Sequence, residues 1–337
     1  MTILTKSPLS RRSLLVAGVA APAVLTMTGG SFAQAQITLS LGHNAAPTNP
    51  RHLSAEKFAE VVKEKSGGRI TVRVAPSAQL GDDAAMLTGL RTGTLDFSVN
   101  SQGSSSAVLP EVAALGLPFL FADTSAAYKV VDGPIGDELA KRFDAVGLNL
   151  LGWMDNGIRH TTNSKRPITK PEDLKGLKIR TPPDPMTIDI FQALGAATQQ
   201  INFGELYVAL QQGVVDGQEN PLANIHSSKL HEVNKFISFT GHKWESTPFL
   251  MSKITMGRLS PADRDIVHAA AKEATALQRK LMQDIDIKLL ADFKANSAVS
   301  LNTVDQALFR AGTAAVAAKW EARPFGDFVK RLRAAAA

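Results

Sequence analysis

Ile37-Thr38-Leu39-Ser40-Leu41, Ile70-Thr71-Val72-Arg73-Val74 and Leu95-Asp96-Phe97-Ser98-Val99 are three short apolar runs that follow one another near the start of the sequence. Their alternation and β-branched content read as strands. Between the first two, Leu53, Phe58, Val61 and Val62 fall on one helical face over residues 53–65, and Gly67-Gly68 ends that helix. Between the second and third, a helix from about Asp82 to Arg91 leads out through Gly93. The order strand, helix, strand, helix, strand predicts an α/β fold, because a helical crossover brings successive strands side by side in parallel.

The pattern continues after Pro110 with an apolar run from Leu115 to Phe121, a helix near Ala126 to Asp144 and a strand over Leu148 to Trp153. It then restarts: a strand at Leu177 to Arg180, a helix from Pro185 to Leu194, a short polar strand near Thr198 to Ile201, a helix from Gly204 to Gln212, and Val214-Val215-Asp216 leading out. Two α/β units predict two lobes with a cleft between them, and ligands of such sheets collect at the carboxyl ends of strands. Ser260-Pro261-Ala262-Asp263 carries a serine cap, a proline in the first turn and an acid three residues after the cap. No Gly or Pro occurs from Ala262 to Ala311, and Ile266, Ala270, Ala274, Leu277, Leu281, Ile285, Leu289 and Phe293 recur at helical spacing. A helix of about 35 residues, about 50 Å long, is expected; two shorter helices are the alternative. Arg331 to Ala337 reads as a frayed tail.

The chain of 337 residues carries 37 Lys+Arg and 31 Asp+Glu, a formal +6, and no cysteine. Without cysteine there are no disulfides, thiolate metal sites or cysteine nucleophiles. The positive balance would suit nucleic acid, but Lys6, Arg11 and Arg12 stand in a segment without acids, and beyond residue 33 the balance falls to 34 against 31. No nucleic-acid partner is expected. Residues 1–33 read as a signal peptide: a basic start through Arg11-Arg12, an apolar stretch through Leu25 and small residues around Ser31-Phe32-Ala33. The paired arginines before Leu14-Leu15 resemble a twin-arginine signal, with an ordinary secretory signal as the alternative. The mature protein is expected outside the cytoplasm.

Between Ile158 and Pro182 stand seven cationic residues and two acids. Most are ordinary surface charges. Arg180 differs, because it ends an apolar strand before Thr181-Pro182-Pro183, where a guanidinium can clasp a carboxylate with paired hydrogen bonds. The stretch Gly213 to Pro221, with Asp216, Gln218, Glu219 and Asn220, reads as a strand-to-loop transition suited to oriented hydrogen bonding, or as a solvated turn. No nucleophile elbow, metalloprotease helix, phosphate loop or dinucleotide fingerprint is present. His226 and His231 beside Glu232, and His43 with His52, offer too few ligands for a metal. Asp82 and Asp83 start a helix, where capping accounts for them. No catalytic residue, metal site or cofactor is expected.

Several longer stretches carry a resemblance: Ser77-Ala78-Gln79-Leu80-Gly81-Asp82-Asp83, Asp155 to Thr162, Asp173 to Arg180, and Glu205 to Gln211 followed by Asp216 to Pro221. Over residues 36–330 the chain resembles the solute-binding subunits of TRAP transporters, with motifs most similar to the sialic-acid-binding branch. The resemblance implies a monomeric, two-lobed periplasmic binding protein of the type II kind. Residues 34–157 plus 246–285 would form one domain and 158–245 plus 286–337 the other, with the long helix crossing both. Such a protein closes on a small organic acid and delivers it to the small and large membrane permease subunits. By the same resemblance Arg180 clamps the ligand carboxylate, helped by Asn220 and Arg159, while Asn44, Asp83 and Phe203 line the pocket; Gln102 and His160 are further candidates, as is Glu219 in the polar stretch.

One departure bears on the ligand. Where the sialic-acid branch has a glutamate and an arginine, this chain has Ser101 and Ser104. Sialic acid would lose polar partners there, which favours a smaller sugar acid such as a uronate or aldonate. Sialic acid, a C4 dicarboxylate, a sensory role, and an exported enzyme acting on acidic sugars are the alternatives.

Overall fold

The computed structural model describes residues 36–337; the expected signal peptide lies outside the described residues. Within them, nine strands form one sheet: β1 Ile37–Gly42, β2 Ile70–Ala75, β3 Phe97–Val99, β4 Leu148–Asn163, β5 Lys178–Thr181, β6 Ala197–Gln200, β7 Gly217–Asn220, β8 Phe236–Ser252 and β9 Ser300–Thr303, in the order β2-β1-β3-β8-β4-β7-β5-β6 with β9 beside β8. The margins are parallel, β1 with β2 and β3, β5 with β6 and β7. The centre, β3-β8-β4-β7, is antiparallel.

β4 and β8, of 16 and 17 residues, hold the halves together. At about 3.3 Å per residue each is long enough to cross both halves. Leu148 to Asp155 pair with Ser246 to Ser252 beside β3, and His160 to Asn163 pair with β7 at the other end. Register shifts interrupt the ladder between Leu150 and Gly152, Asp155 and Gly157, and Arg159 and Thr161. Such irregularities bend and twist a strand pair. Gly157 sits at the middle one with φ +108°, and a side chain there would press on Pro221 and Met282.

The helix Pro261–Ala295 has 35 residues, the length its periodicity predicts, with Ser260 accepting from the Asp263 amide as cap. Its first half places Val267, Ala270, Ala271 and Ala274 in a core with Phe58, Phe97 and Phe249. Its second half places Met282, Leu289 and Phe293 in a different core, with Leu206, Ile225 and Ile237. One helix therefore ties together two packed bodies, and its small alanines let the helix Pro50–Lys65 lie close.

Where that helix crosses β4, two carboxyls face each other. Burial against Asp155 pushes Asp286 up to about 7, and its Oδ1 has no hydrogen-bond partner. Burial also pushes Asp155 up to about 6, although Tyr128 and Trp244 donate to it at 2.9 and 2.8 Å. A carboxyl with a higher pKa folded than unfolded favours folding while protonated, and that contribution is lost as pH rises through the folded value. Asp286→Asn is therefore expected to exceed the parent in stability at about pH 8, by about 1–3 kcal/mol, with the gain fading below about pH 4. Urea titrations at both ends of that range check it.

The structure differs from the sequence reading in four places. The helix expected over 126–144 is two, Thr124–Val131 and Pro134–Ala145, because Gly133-Pro134 breaks it. The strand expected to end at Trp153 continues to Asn163. The polar stretch read as a transition into a loop is itself a strand, β7, buried throughout at the sheet centre. Arg331 to Ala337 is no frayed tail: the helix Gly326–Ala336 buries Phe328, Val329 and Leu332, and Arg331 pairs with Glu138 at 2.8 Å.

Candidate ligand-binding site

The carboxyl ends of β1, β3, β5 and β7 bring Asn44, Ser101, Arg180 and Asn220 to the wall of one cavity. Arg159 reaches it from β4, Asp83 from the start of the helix Asp83–Thr92, and Phe203 from the turn before the helix Leu206–Gln211. The cavity offers about 40 Å³ to the centres of water-sized molecules. Asn202 and Asp82 in its lining are joined by a hydrogen bond from Asn202 Nδ2 to Asp82 Oδ2 at 2.8 Å, and Asn224 accepts at Oδ1 from Asn49 Nδ2 behind it at 2.9 Å.

Arg180 is 2% exposed. Its Nε donates to the Ile201 carbonyl at 2.8 Å, and its guanidinium stands 5.9 Å from the Phe203 ring centre. Among the described residues it forms no ion pair, and burial holds its pKa down at about 10 despite Glu219 nearby. A buried cation without a counter-ion is costly, and an incoming carboxylate would relieve that cost.

Arg159 is the opposite case. Its Nε donates to Glu219 Oε2 at 2.5 Å, Nη2 to Glu219 Oε1 at 2.6 Å, and Nη1 meets Glu245 Oε2 at 2.5 Å. Burial pulls its pKa down, but the two glutamates outweigh this and hold it above the ordinary value. Burial likewise works to raise Glu219, and Arg159 and the His242 imidazole hold it well below the usual carboxylate range. Arg159 is thus charge-neutralised within the wall while it still lines the cavity. Asn220 joins the network: its Oδ1 accepts from Arg159 and from Asn224 at 3.2 and 3.1 Å.

On the opposite wall, Asn44 Nδ2 donates to Asp83 Oδ1 at 2.9 Å, and burial raises the Asp83 carboxyl above its ordinary value against the pull of Arg51. The capping role read for the acid pair belongs to Asp82, which accepts from the Ala85 amide at 2.8 Å; Asp83 faces the cavity. Ser101 and Ser104 lie there with their hydroxyls 3.2 Å apart.

Of the ten residues singled out in the sequence, seven line this cavity: Asn44, Asp83, Ser101, Arg159, Arg180, Phe203 and Asn220. Glu219 stands behind Arg159. Gln102 turns into the core, where its Oε1 accepts from the Ser246 amide and hydroxyl. His160 lines a separate cavity beside Phe239, its Nδ1 accepting from the Gly241 amide at 3.1 Å. Sequence reasoning missed Arg51, Asn156, Asn224 and Glu245 in the lining. Arg51 precedes the first apolar helical position and was hidden in an apparent turn. Glu245 lay in an unread strand, although Lys243 and Glu245 flanking Trp244 in a β-rich run are a recognisable sign of buried charge.

Among the described residues no helix is long and apolar enough to cross a membrane. Residues 41–323 match the DctP family, described as bacterial extracellular solute-binding protein, family 7. The chain is 62% identical over 314 residues to the uncharacterized protein y4mM of Sinorhizobium fredii, covering 92% of this chain and 58% of that longer protein. A sugar acid binding protein from Advenella mimigardefordensis, solved in complex with galactonate, superposes with a TM-score of 0.87 at 30% identity, covering 90% of this chain and 98% of the other. A TRAP periplasmic solute binding protein from Polaromonas, bound to D-erythronate, gives 0.85 at 35% identity, covering 89% and 99%. With the family matched over most of its length and a two-lobed architecture in common with these structures, the chain belongs to the TRAP-type bacterial extracellular solute-binding proteins of family 7.

Proposed function

We propose that this protein works in the periplasm, as a TRAP transporter component that binds a small sugar acid, a uronate or aldonate, between its lobes and passes it unchanged to the membrane permease subunits. The observation that carries the reading is Arg180, a buried guanidinium without an ion partner at the carboxyl end of β5. Galactonate and erythronate, held by two similar proteins, are hydroxylated monocarboxylates of the kind such a site would take. Ser101 and Ser104 stand in the lining where a glutamate and an arginine would be needed to hold a larger acidic sugar. We assign the leader to residues 1–33, the hinge to the register shift where Gly157 meets Glu245, and the two domains to 34–157 plus 246–285 and 158–245 plus 286–337. The mature protein acts as a monomer.

A thermal-shift panel of aldonates, uronates, sialic acid and C4 dicarboxylates tests this. A ligand at about a hundred times its Kd adds about 2.7 kcal/mol of stability, so the expected result is a clear rise in Tm with aldonates or uronates and recovery of the acid unchanged. No rise with any acid, or a chemically altered acid, would sink the reading.

A further inference from the structure

A second buried guanidinium lines the same cavity from the other wall. Arg51, in the first turn of the helix Pro50–Lys65, is 3% exposed. Nη1 donates to Asn44 Oδ1 at 2.6 Å and Nη2 to Asn156 Oδ1 at 3.0 Å, while Nε has no partner. Each terminal nitrogen carries a second hydrogen that no described residue accepts. Arg51 has no ion pair among the described residues; burial lowers its pKa to about 10, with Asp83 and Glu245 acting on it only from farther off. Asn44 is the bridge, accepting from Arg51 and donating to Asp83. Donor and acceptor therefore stand side by side.

We propose that Arg51 is a specificity-determining residue that, paired with Asp83, reads hydroxyl groups at the end of the ligand remote from its carboxylate. This rests on the reading of the cavity as a site for organic acids. A hydroxyl satisfies both groups at once, accepting from Arg51 and donating to Asp83. A second carboxylate could use Arg51 but would face the Asp83 carboxylate. An unsubstituted acid would leave the unused hydrogens of Arg51 desolvated beside Asp83 with no hydroxyl to meet them, and a site built to hydrogen-bond a hydroxyl rejects analogues that lack it strongly.

The test is a cycle of two ligands and two proteins by calorimetry. D-Erythronate has a hydroxyl on every carbon after the carboxylate, and 2-hydroxybutanoate lacks the distal ones. Arg51→Gln is expected to weaken erythronate at least tenfold and 2-hydroxybutanoate less than threefold, with galactonate following erythronate. Arg51→Lys, which keeps the charge, should fall between, and the unliganded Tm of each variant reports folding. Equal losses for both ligands would mean that Arg51 only props Asn44 and Asn156, and an unchanged erythronate affinity would mean that it plays no part; either overturns the inference alone. If no sugar acid binds the parent protein, the functional reading fails and takes this one with it.

Discussion

Arg180→Ala is expected to lower affinity for a sugar acid such as erythronate at least thirtyfold, with no loss of stability in the unliganded protein. Removing one partner of a buried, hydrogen-bonded charge pair costs about 2–5 kcal/mol in binding, and each 1.4 kcal/mol is about tenfold. Arg180 lies at the upper end of that class. Its Nε is already fixed on Ile201, so the fork is oriented before the ligand arrives and little further ordering remains to be done. Its side chain is sealed from water, so the carboxylate has no competing solvent. Arg159 cannot substitute, since Glu219 and Glu245 occupy it. Arg180→Lys should recover only part of the loss, because an ammonium lacks the planar two-pronged geometry. In the empty protein the same substitution removes an uncompensated buried charge, so its unliganded Tm is expected to match or exceed the parent's. Calorimetry showing affinity within threefold of the parent would refute the assignment.

Lys243→Met is expected to destabilise the fold by about 3–5 kcal/mol, the usual cost of stranding one member of a buried ion pair. Lys243 is 1% exposed and its Nζ meets Asp184 Oδ2 at 2.7 Å and Thr187 Oγ1 at 2.6 Å. Burial works to lower its pKa, yet Asp184, Glu245 and Glu219 outweigh this and hold it above the ordinary value. The pair joins β8 to the first turn of the helix Pro185–Ala193, where Asp184 also caps Met186 and Thr187. Without the ammonium, the Asp184 carboxylate stays in a wall where Gly103 packs so closely that no side chain would fit. Adding Asp184→Asn should recover part of the loss by removing the stranded charge. Denaturation of the single and double variants reads this directly, and a loss below about 1 kcal/mol for Lys243→Met would contradict it.

How much of this was legible in the sequence followed from how locally each feature is encoded. The helix Pro261–Ala295 was plain because cap, proline and apolar spacing all lie within it. Arg180 was visible because a charged residue ending an apolar strand is a local anomaly. β7 was misread, since Gly217-Gln218-Glu219-Asn220 has the composition of a turn and becomes a buried strand only because β4 and β5 flank it and Arg159, Thr162 and His242 satisfy its side chains. β8 went unread for a related reason: Gly241, Lys243, Glu245 and Pro248 break the apolar pattern, and the partners that make those charges tolerable lie far off in sequence. The role of Arg51 depends on Asn44, Asn156 and Asp83, which only the fold brings together.

The two long central strands also set the order in which the molecule can be built. β3 finds its second neighbour in β8, so Phe97 meets Met251 across nearly half of the chain, and β4 must wait for the same strand. Until residues 236–252 have been synthesised, β1, β2 and β3 form a sheet with an open edge, and neither body can be finished alone. Pairings so distant in sequence slow folding and leave a bare strand edge exposed to other chains in the meantime. The strands that tie the two halves of the finished sheet together thus leave the newborn chain with a bare strand edge until late in its synthesis.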